Sequence, residues 1–294
     1  MPRALVIGAS GLLGSRVARE FLEANFEVYG TSRTKRVPTG CTHLKFQFSN
    51  TLEAQNVFPL DFDVIVNCAG LTNVDICESR PEAAWQLNAL IPFWLSNFAL
   101  QTGAHFIHIS TDHFKSLEDF PRSELSPMYP VNSYGYSKIC GERFVGKSNS
   151  YTTILRTNFF GLSESRNHSL LDFLVKKITA RESLIGFADV LFSPIGVSEL
   201  AKTIIEISQK RITGLFNAAG MESVTKYEFA LKVADTLGIR SQLITYGLAR
   251  DAGFKSHRPN YLVLDSCKLA ATLQRSTLSL DEMLSFELTN TIGA

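Results

Sequence analysis

The chain has 294 residues, a formal net charge of +1 at pH 7 and 45% hydrophobic residues. This length accommodates one large α/β unit and a smaller appendage, with enough apolar content for a full core. The near-balanced charge excludes the broad basic footprint of proteins that bind nucleic acid or anionic membranes. These quantities favour a small-molecule partner.

The five cysteines are scattered without CxxC spacing, which argues against a disulfide framework and against a zinc site. We therefore predict no metal site and a reducing environment. The apolar run Ala4-Leu5-Val6-Ile7 is too short for a signal peptide or a membrane span. A cytoplasmic protein is expected.

Short apolar runs alternate with longer stretches of helical periodicity, a pattern typical of a parallel sheet buried on both faces. Strands are predicted at Ala4–Gly8, Glu27–Thr31, His43–Phe48, Asp63–Asn67, Ala104–Ser110 and Thr152–Arg156. Helices are predicted at Leu12–Ala24, Glu82–Leu100 and Ser133–Val145. The predicted fold class is α/β, with a doubly wound parallel sheet of the Rossmann type.

The segment Lys115–Asn132 is rich in proline, serine and acidic residues, which predicts one long loop. Beyond Arg156 the alternation loosens. Helical patterns occur at Leu170–Ala180, Val197–Ser208 and Thr225–Leu237, with a short apolar run at Gly214–Asn217. We predict a smaller lobe there, interleaved with the last elements of the sheet.

Glycines mark the turn between the first predicted strand and helix, at Gly8, Gly11 and Gly14. In that position glycines permit a tight turn and close backbone approach to a pyrophosphate, while the helix N-terminus offers free N–H groups. We predict a dinucleotide site that includes Gly8, Ser10, Gly11, Leu12, Leu13 and Gly14. The alternative is a glycine-rich turn without a ligand.

The end of the second predicted strand indicates which dinucleotide is bound. NAD-binding sites usually place an acid there for the ribose hydroxyls, whereas this chain has Ser32 followed by Arg33. A cation beside a small hydroxyl suits a 2′-phosphate, with Lys35 and Arg36 as further cations. We expect NADP(H) and leave NAD(H) open. In the alternative interpretation the basic residues form a solvated loop.

Tyr134 and Lys138 are four residues apart, hence on one face of a predicted helix. The triplet Ser110-Thr111-Asp112 ends the fifth predicted strand, at the edge where open α/β sheets bind ligands. Together with the glycine loop, these residues point to one class of enzyme.

With these motifs in this order, the chain resembles the extended short-chain dehydrogenase/reductases, and within them the dTDP-4-dehydrorhamnose reductase family. Further matching segments are Val66-Asn67-Cys68-Ala69-Gly70, Asn73-Val74-Asp75, Gly141-Glu142, Leu155-Arg156-Thr157, Ser193-Pro194, Arg258-Pro259, Leu264-Asp265 and Lys268-Leu269. The resemblance implies NADPH-dependent reduction of the 4-keto group of a nucleotide-linked 6-deoxy sugar, in deoxysugar and cell-surface polysaccharide biosynthesis. It implies a nucleotide-diphosphate sugar as partner, and neither nucleic acid nor membrane. We leave a homodimer open.

The resemblance also implies residue roles. Tyr134 would protonate the carbonyl oxygen, Lys138 would hold the nicotinamide ribose and favour tyrosinate, and Thr111 would hydrogen-bond the substrate oxygen. Asn88 would support the proton relay. The cofactor would also contact Gln47, Phe48, Ala69, Gly70, Leu71 and Thr72, and the substrate would contact Val74, Thr111 and Asp112. We also consider Arg258 a candidate contact of the substrate's diphosphate, the alternative being that it anchors the tail of the chain. Residues 1–157, with later sheet elements near 190–217, would form the dinucleotide-binding domain, and residues 158–294 the substrate lobe.

Two departures from the family pattern affect these expectations. Dehydratases of the superfamily follow Thr-Asp with Glu, whereas His113 stands there in this chain, which favours a reductase. Arg16 occupies the position at which some relatives carry a glutamate used in a metal-bridged dimer, so we do not expect that assembly. Two other functions stay open: a catalytically idle regulatory subunit resembling the methionine adenosyltransferase β subunit, and a nucleotide-sugar epimerase.

Overall fold

The computed structural model describes residues 1–33, 37–45, 61–116, 121–148, 151–164 and 169–289. By its internal contacts the chain divides into two compact units. The first comprises residues 1–111, 132–156 and 201–216, and the second comprises residues 112–131, 157–200 and 217–294. The second unit thus takes in the early segment 112–131 as well as most residues after 157.

A seven-stranded sheet contains the strands β1 (Arg3–Ile7), β2 (Glu27–Thr31), β3 (Thr42–Leu44), β4 (Val64–Asn67), β5 (His105–Ile109), β6 (Thr152–Thr157) and β11 (Gly214–Ala218). Its order is β11-β6-β5-β4-β1-β2-β3, and the pairings from β1 through β6 are parallel. From β1 the strand order runs outward to β3 on one side and from β4 to β6 on the other, so the order switches between β1 and β4. Ligands bind at such switch points in doubly wound folds. The predicted fold class is confirmed.

The helices of the first unit follow the predicted periodicity, with one addition and one correction. They are α1 (Leu12–Glu23), α2 (Val74–Ser79), α3 (Pro81–Trp85), α4 (Ile91–Thr102) and α5 (Ser133–Ser148). We did not predict α2, whose N-terminus is capped by the Asn73 side chain accepting from the Ile76 N–H at 2.9 Å. The strand predicted at His43–Phe48 is observed as β3, which ends at Leu44. Residues 46–48 lie outside the described ranges.

The helix predicted over Glu82–Leu100 is observed as uninterrupted helical structure from Pro81 to Thr102, but residues Gln86–Leu90 between α3 and α4 are π-helical. Pro92 supplies a physical reason. Proline has no N–H, so it cannot donate to the carbonyl of Asn88 four residues earlier, and helices widen or kink at such gaps. The π segment places Asn88, which is fully buried, against α5.

The contact between α5 and the π segment requires glycine at Gly141. A Cβ there would overlap the Asn88 carbonyl oxygen, whereas a Cβ at Gly146, on the same helix, would meet only Ile154 Cδ1 at 3.6 Å. We expect Gly141→Ala to lower the free energy of unfolding by about 1–3 kcal/mol through overpacking. Gly146→Ala should be neutral or stabilising, because alanine favours the helix. Urea unfolding of both variants checks this, and equal stabilities would contradict it.

The second unit combines helices with small sheets. Its helices are α6 (Leu170–Thr179), α8 (Lys226–Thr236), α9 (Cys267–Leu273) and α10 (Leu280–Thr289), and α7 (Val197–Gln209) begins in it and ends in the first unit. Its strands are β7 (Phe159–Phe160), β8 (Leu184–Phe187), β9 (Leu191–Phe192), β10 (Ile195–Gly196), β12 (Val224–Thr225), β13 (Ile244–Gly247) and β14 (Tyr261–Leu262). They form three sheets, β10-β7, β12-β9-β14 and β13-β8.

The segment predicted as one long loop lies in this second unit up to residue 131, and two isolated β-bridges order part of it. Lys115 pairs with Tyr129, and Arg122 pairs with Leu264. Arg122 is 2% exposed, and its Nη1 donates to the Asp112 carbonyl oxygen at 3.1 Å. In the described part of the chain, no helix has both the length and the apolar character needed to span a bilayer.

Candidate active site

The glycine loop has a backbone that other residues would not adopt. Gly8 has φ +83°, in the left-handed region, and a Cβ at Gly14 would overlap the Gly8 carbonyl oxygen. The Gly11 N–H donates to that oxygen at 2.9 Å. Gly11, the residue before α1, offers no side-chain cap, so the N–H groups of the first helical turn keep their capacity for an anion.

The end of β2 also carries a hydroxyl group that could bind a ligand. Ser32 Oγ is buried and has no hydrogen-bond partner among the described residues, whereas Arg33 is exposed. A buried hydroxyl without a partner is unfavourable unless a ligand completes it. The predicted contacts Gln47 and Phe48, and the helper cations Lys35 and Arg36, lie outside the described residues.

The segment after β4, with the predicted residues Ala69, Gly70, Leu71 and Thr72, is held by two buried asparagines. Asn67 Oδ1 accepts from the Ala69 N–H at 3.2 Å. Asn88 Oδ1 accepts from the Leu71 N–H at 2.8 Å, and Asn88 Nδ2 donates to the Leu71 carbonyl at 3.0 Å. The π segment thus fixes this loop. Val74, predicted to touch the substrate, begins α2 and is 7% exposed.

The predicted catalytic residues meet at the carboxyl end of β5. Helix α5 begins at a cap in which Asn132 Oδ1 accepts from the Gly135 N–H at 2.8 Å. The Tyr134 hydroxyl donates to Thr111 Oγ1 at 3.3 Å. One turn later, Lys138 Nζ donates to the Ile109 carbonyl at 2.6 Å. The structure therefore brings a phenol, a hydroxyl and an ammonium together.

Burial lowers the basicity of Lys138. It lowers the pKa of the ammonium to about 8, and the neighbouring Glu142 and Cys68 oppose that change. The same burial raises the pKa of the Cys68 thiol to about 12, so this cysteine is neutral at pH 7. Lys138 therefore remains mostly charged at pH 7.

A buried ion pair that we did not predict supports this arrangement. Arg156 Nη2 donates to Glu142 Oε1 at 2.6 Å, with side chains 3% and 6% exposed. Glu142 Oε2 also accepts from Ser110 Oγ at 2.8 Å, immediately before Thr111. Glu142 lies four residues after Lys138 on α5, and that spacing was the signal that sequence reasoning overlooked.

In the second unit, Asp112 is held in a polar cluster. Asn158 Nδ2 donates to Asp112 Oδ2 at 2.6 Å, and Asp112 is 3% exposed. Burial raises its pKa to about 6, whereas the hydrogen bond from Asn158 and the charges of Lys226 and Arg122 oppose the rise. Neither Asn158 nor Lys226 was among the predicted site residues.

His113 and Arg258 are two further residues of this unit that the sequence analysis named. Burial lowers the pKa of His113 to about 4, assisted by the charges of Arg258, Arg122 and His257, so His113 is neutral at pH 7. The Arg258 guanidinium lies over the Phe254 ring, 4.1 Å from its centroid. Within the described residues, no group of three or more His, Cys, Asp or Glu side chains could hold a metal ion.

Comparison with known proteins identifies the family. The family model described as RmlD substrate binding domain matches residues 2–288. The probable low-salt glycan biosynthesis reductase Agl14 of Haloferax volcanii is 29% identical over 287 residues, which cover 96% of each chain. Methionine adenosyltransferase 2 subunit beta of Xenopus laevis is 32% identical over 251 residues, covering 81% of this chain and 73% of that protein.

A solved structure agrees in fold. The dTDP-4-dehydrorhamnose reductase of Bacillus anthracis, in complex with NADP, has a TM-score of 0.89 at 23% identity, covering 99% of this chain and 100% of that chain. The chain therefore belongs to the RmlD family, the dTDP-4-dehydrorhamnose reductase branch of the extended short-chain dehydrogenase/reductases that its motifs indicated.

Proposed function

We propose that the protein reduces the 4-keto group of a nucleotide-linked 6-deoxy sugar with NADPH, in the synthesis of deoxysugars for cell-surface polysaccharides. One observation carries the proposal: Tyr134 is hydrogen-bonded to Thr111 at 3.3 Å, with the Lys138 ammonium one helical turn away. A phenol beside a hydroxyl and an ammonium suits a carbonyl oxygen that gains negative charge and then a proton. The family and the Haloferax volcanii reductase support the same reaction class.

The chain's own residues would carry the proton chemistry. Tyr134 gives its hydroxyl proton to the carbonyl oxygen, and Thr111 donates a hydrogen bond that stabilises the developing negative charge there. The charge of Lys138 favours the tyrosinate that remains. When bound, NADPH supplies the hydride to the carbonyl carbon.

The cofactor fits residues of the first unit. Gly8 and Gly14 let the loop pack tightly against the start of α1, because a Cβ at Gly14 would overlap the Gly8 carbonyl oxygen. The N-terminus of α1 has no side-chain cap, so its free N–H groups suit a pyrophosphate. Lys138 would hold the nicotinamide ribose, and Ser32 with Arg33 would bind the 2′-phosphate. We retain the functional division into a dinucleotide-binding domain over 1–157 and a substrate lobe over 158–294. Asp112, Val74 and Arg258 are the proposed substrate contacts beside Thr111.

A regulatory function is the second candidate, because methionine adenosyltransferase 2 subunit beta of Xenopus laevis is 32% identical. The two candidates differ in turnover. The native protein, NADPH and a panel of dTDP-, GDP- and UDP-linked 4-keto-6-deoxy sugars should show NADPH oxidation with at least one sugar. Binding of NADPH without oxidation by any of them would favour the regulatory function.

The replacement of the ribose-binding acid by Ser32 and Arg33 predicts a preference for NADPH over NADH. Arg33→Ala should weaken NADPH binding at least about tenfold, because a charge-assisted hydrogen bond is lost, and should change NADH binding little. Titration of both cofactors measures the dissociation constants. Arg19→Ala, an exposed arginine on α1, is the matched control. Equal or tighter binding of NADH by the native protein would contradict the preference.

A further inference from the structure

Lys226 occupies an unusual position for a cation. It is the first residue of α8, after the cap formed by Thr225 and Glu228, and its side chain is only partly exposed. The N-terminus of a helix carries a partial positive charge, which disfavours a lysine. Burial adds a second cost, since it lowers the pKa of the Lys226 ammonium to about 8. A charged lysine at this position is therefore unfavourable unless other interactions offset the helix dipole and the burial.

The surroundings of the ammonium compensate it only in part. Its Nζ lies over the ring of Phe192, 3.2 Å from the centroid, and Phe192 is 1% exposed. Asp112 attracts it electrostatically. Among the described residues, however, no carboxylate forms a direct ion pair with Nζ and no oxygen accepts a hydrogen bond from it. An ammonium has three donors, so its hydrogen-bonding capacity is unused.

Asp112 is complementary to this lysine. Its Oδ2 accepts from Asn158 Nδ2 at 2.6 Å, and its backbone carbonyl accepts from Arg122 Nη1 at 3.1 Å, so the carboxylate is fixed in orientation. A carboxylate can accept about four hydrogen bonds, which leaves capacity at Oδ1. Asp112 also directly follows Thr111 in the chain.

Lys226 and Asp112 together favour a ligand with neutral hydroxyl groups. A diphosphate would be repelled by the Asp112 carboxylate, and a cationic ligand would be repelled by the Lys226 ammonium. A sugar hydroxyl both donates and accepts, so neighbouring hydroxyls satisfy an acceptor and a donor at once. The opposite charges also compensate one another when the ligand excludes water.

We propose that Lys226 donates a hydrogen bond to a hydroxyl oxygen of the substrate's sugar ring, that Asp112 Oδ1 accepts one from a ring hydroxyl, and that Asn158 positions Asp112. This assignment rests on the proposed function and adds Lys226 as a residue that determines sugar specificity. Lys226 contributes to substrate binding, and the proton chemistry stays with Tyr134.

The test is Lys226→Met, which keeps the length of the side chain and removes its donors, against Lys232→Met as the matched control. Lys232 lies on the same helix and pairs with Asp281 at 2.6 Å. Steady-state assays use the sugar of the dTDP-, GDP- and UDP-linked 4-keto-6-deoxy panel that the native enzyme reduces. Lys226→Met should raise KM for that sugar at least about tenfold, as expected for a lost hydrogen bond from a charged group. The dissociation constants of NADPH and of the matching nucleoside diphosphate, which lacks the hexose, should stay near their native values. Lys232→Met should behave as the native enzyme.

The outcomes separate this assignment from the proposed function. If the native enzyme reduces the sugar and Lys226→Met has an unchanged KM, the assignment is overturned while the reductase function stands. Loss of nucleoside diphosphate binding equal to the loss of nucleotide-sugar binding would also overturn it, since the effect would not depend on the hexose. If the native enzyme neither reduces nor binds any of the dTDP-, GDP- and UDP-linked 4-keto-6-deoxy sugars, the proposed function fails and the assignment fails with it. Should Lys226→Met not fold, Lys226→Gln, which shortens the side chain and removes its charge, should raise KM for the nucleotide sugar while leaving the binding of NADPH and of the nucleoside diphosphate near native values. An unchanged KM in Lys226→Gln would overturn the assignment.

Discussion

Tyr134→Phe should lower the turnover of a 4-keto-6-deoxy nucleotide sugar by at least about a hundredfold, because general acid catalysis typically contributes about 10²- to 10⁴-fold. The substitution removes only the hydroxyl that hydrogen-bonds to Thr111. The ring remains, so α5 should keep its packing and NADPH its affinity. Single-turnover rates and NADPH titration measure the two effects separately.

Tyr136→Phe provides the control for this prediction. Tyr136 lies two residues further along α5, is 54% exposed and stacks on Trp85. Removing its hydroxyl should leave turnover near the native value. If Tyr134→Phe retains native turnover, or if both variants lose activity equally, Tyr134 is not the general acid.

The second large effect is expected from Arg156→Met, which should lower the free energy of unfolding by about 3–5 kcal/mol, since it leaves the buried carboxylate of Glu142 without its partner. Both side chains are nearly inaccessible, at 3% and 6% exposure. Because Glu142 also accepts from Ser110, the end of β5 should lose order. Urea unfolding measures the stability.

Two further variants complete this test. Lys210→Met removes a surface partner of Glu206, and surface ion pairs contribute only about 0–1 kcal/mol. Replacing both buried partners, Glu142→Leu with Arg156→Met, should recover most of the loss, because no unpaired charge remains buried. A single variant Arg156→Met as stable as Lys210→Met would contradict the importance of the buried pair.

The parts of the fold that depend on local pattern were predictable from sequence. The three glycines that mark the strand-loop-helix, Gly8, Gly11 and Gly14, lie within seven consecutive residues. Tyr134 and Lys138 are four residues apart, which places them on one face of a helix. The doubly wound sheet follows from the alternation of apolar runs with amphipathic segments. The fold class and the family were confirmed for these reasons.

Features that depend on distant contacts were not predictable. The π segment reflects Pro92, yet its packing depends on Gly141, about fifty residues away. Asn158 and Lys226 approach Asp112 only after folding, and no periodicity connects them. The short strands of the second unit, two to four residues long, carry too few side chains for a periodic signal. The roles assigned to the individual site residues remain predictions.

Transfer of deuterium from NADPH tests the central claim most directly. The native enzyme, supplied with NADPH deuterated at C4 of the nicotinamide and with dTDP-4-keto-6-deoxyglucose or a C5-epimerised form of it, should yield a 6-deoxy sugar with one deuterium at its C4 carbon. Proton NMR of the product detects that substitution, and Tyr134→Phe should form the same product far more slowly. Tight NADPH binding without a deuterated sugar, from any 4-keto-6-deoxy substrate, would contradict the account.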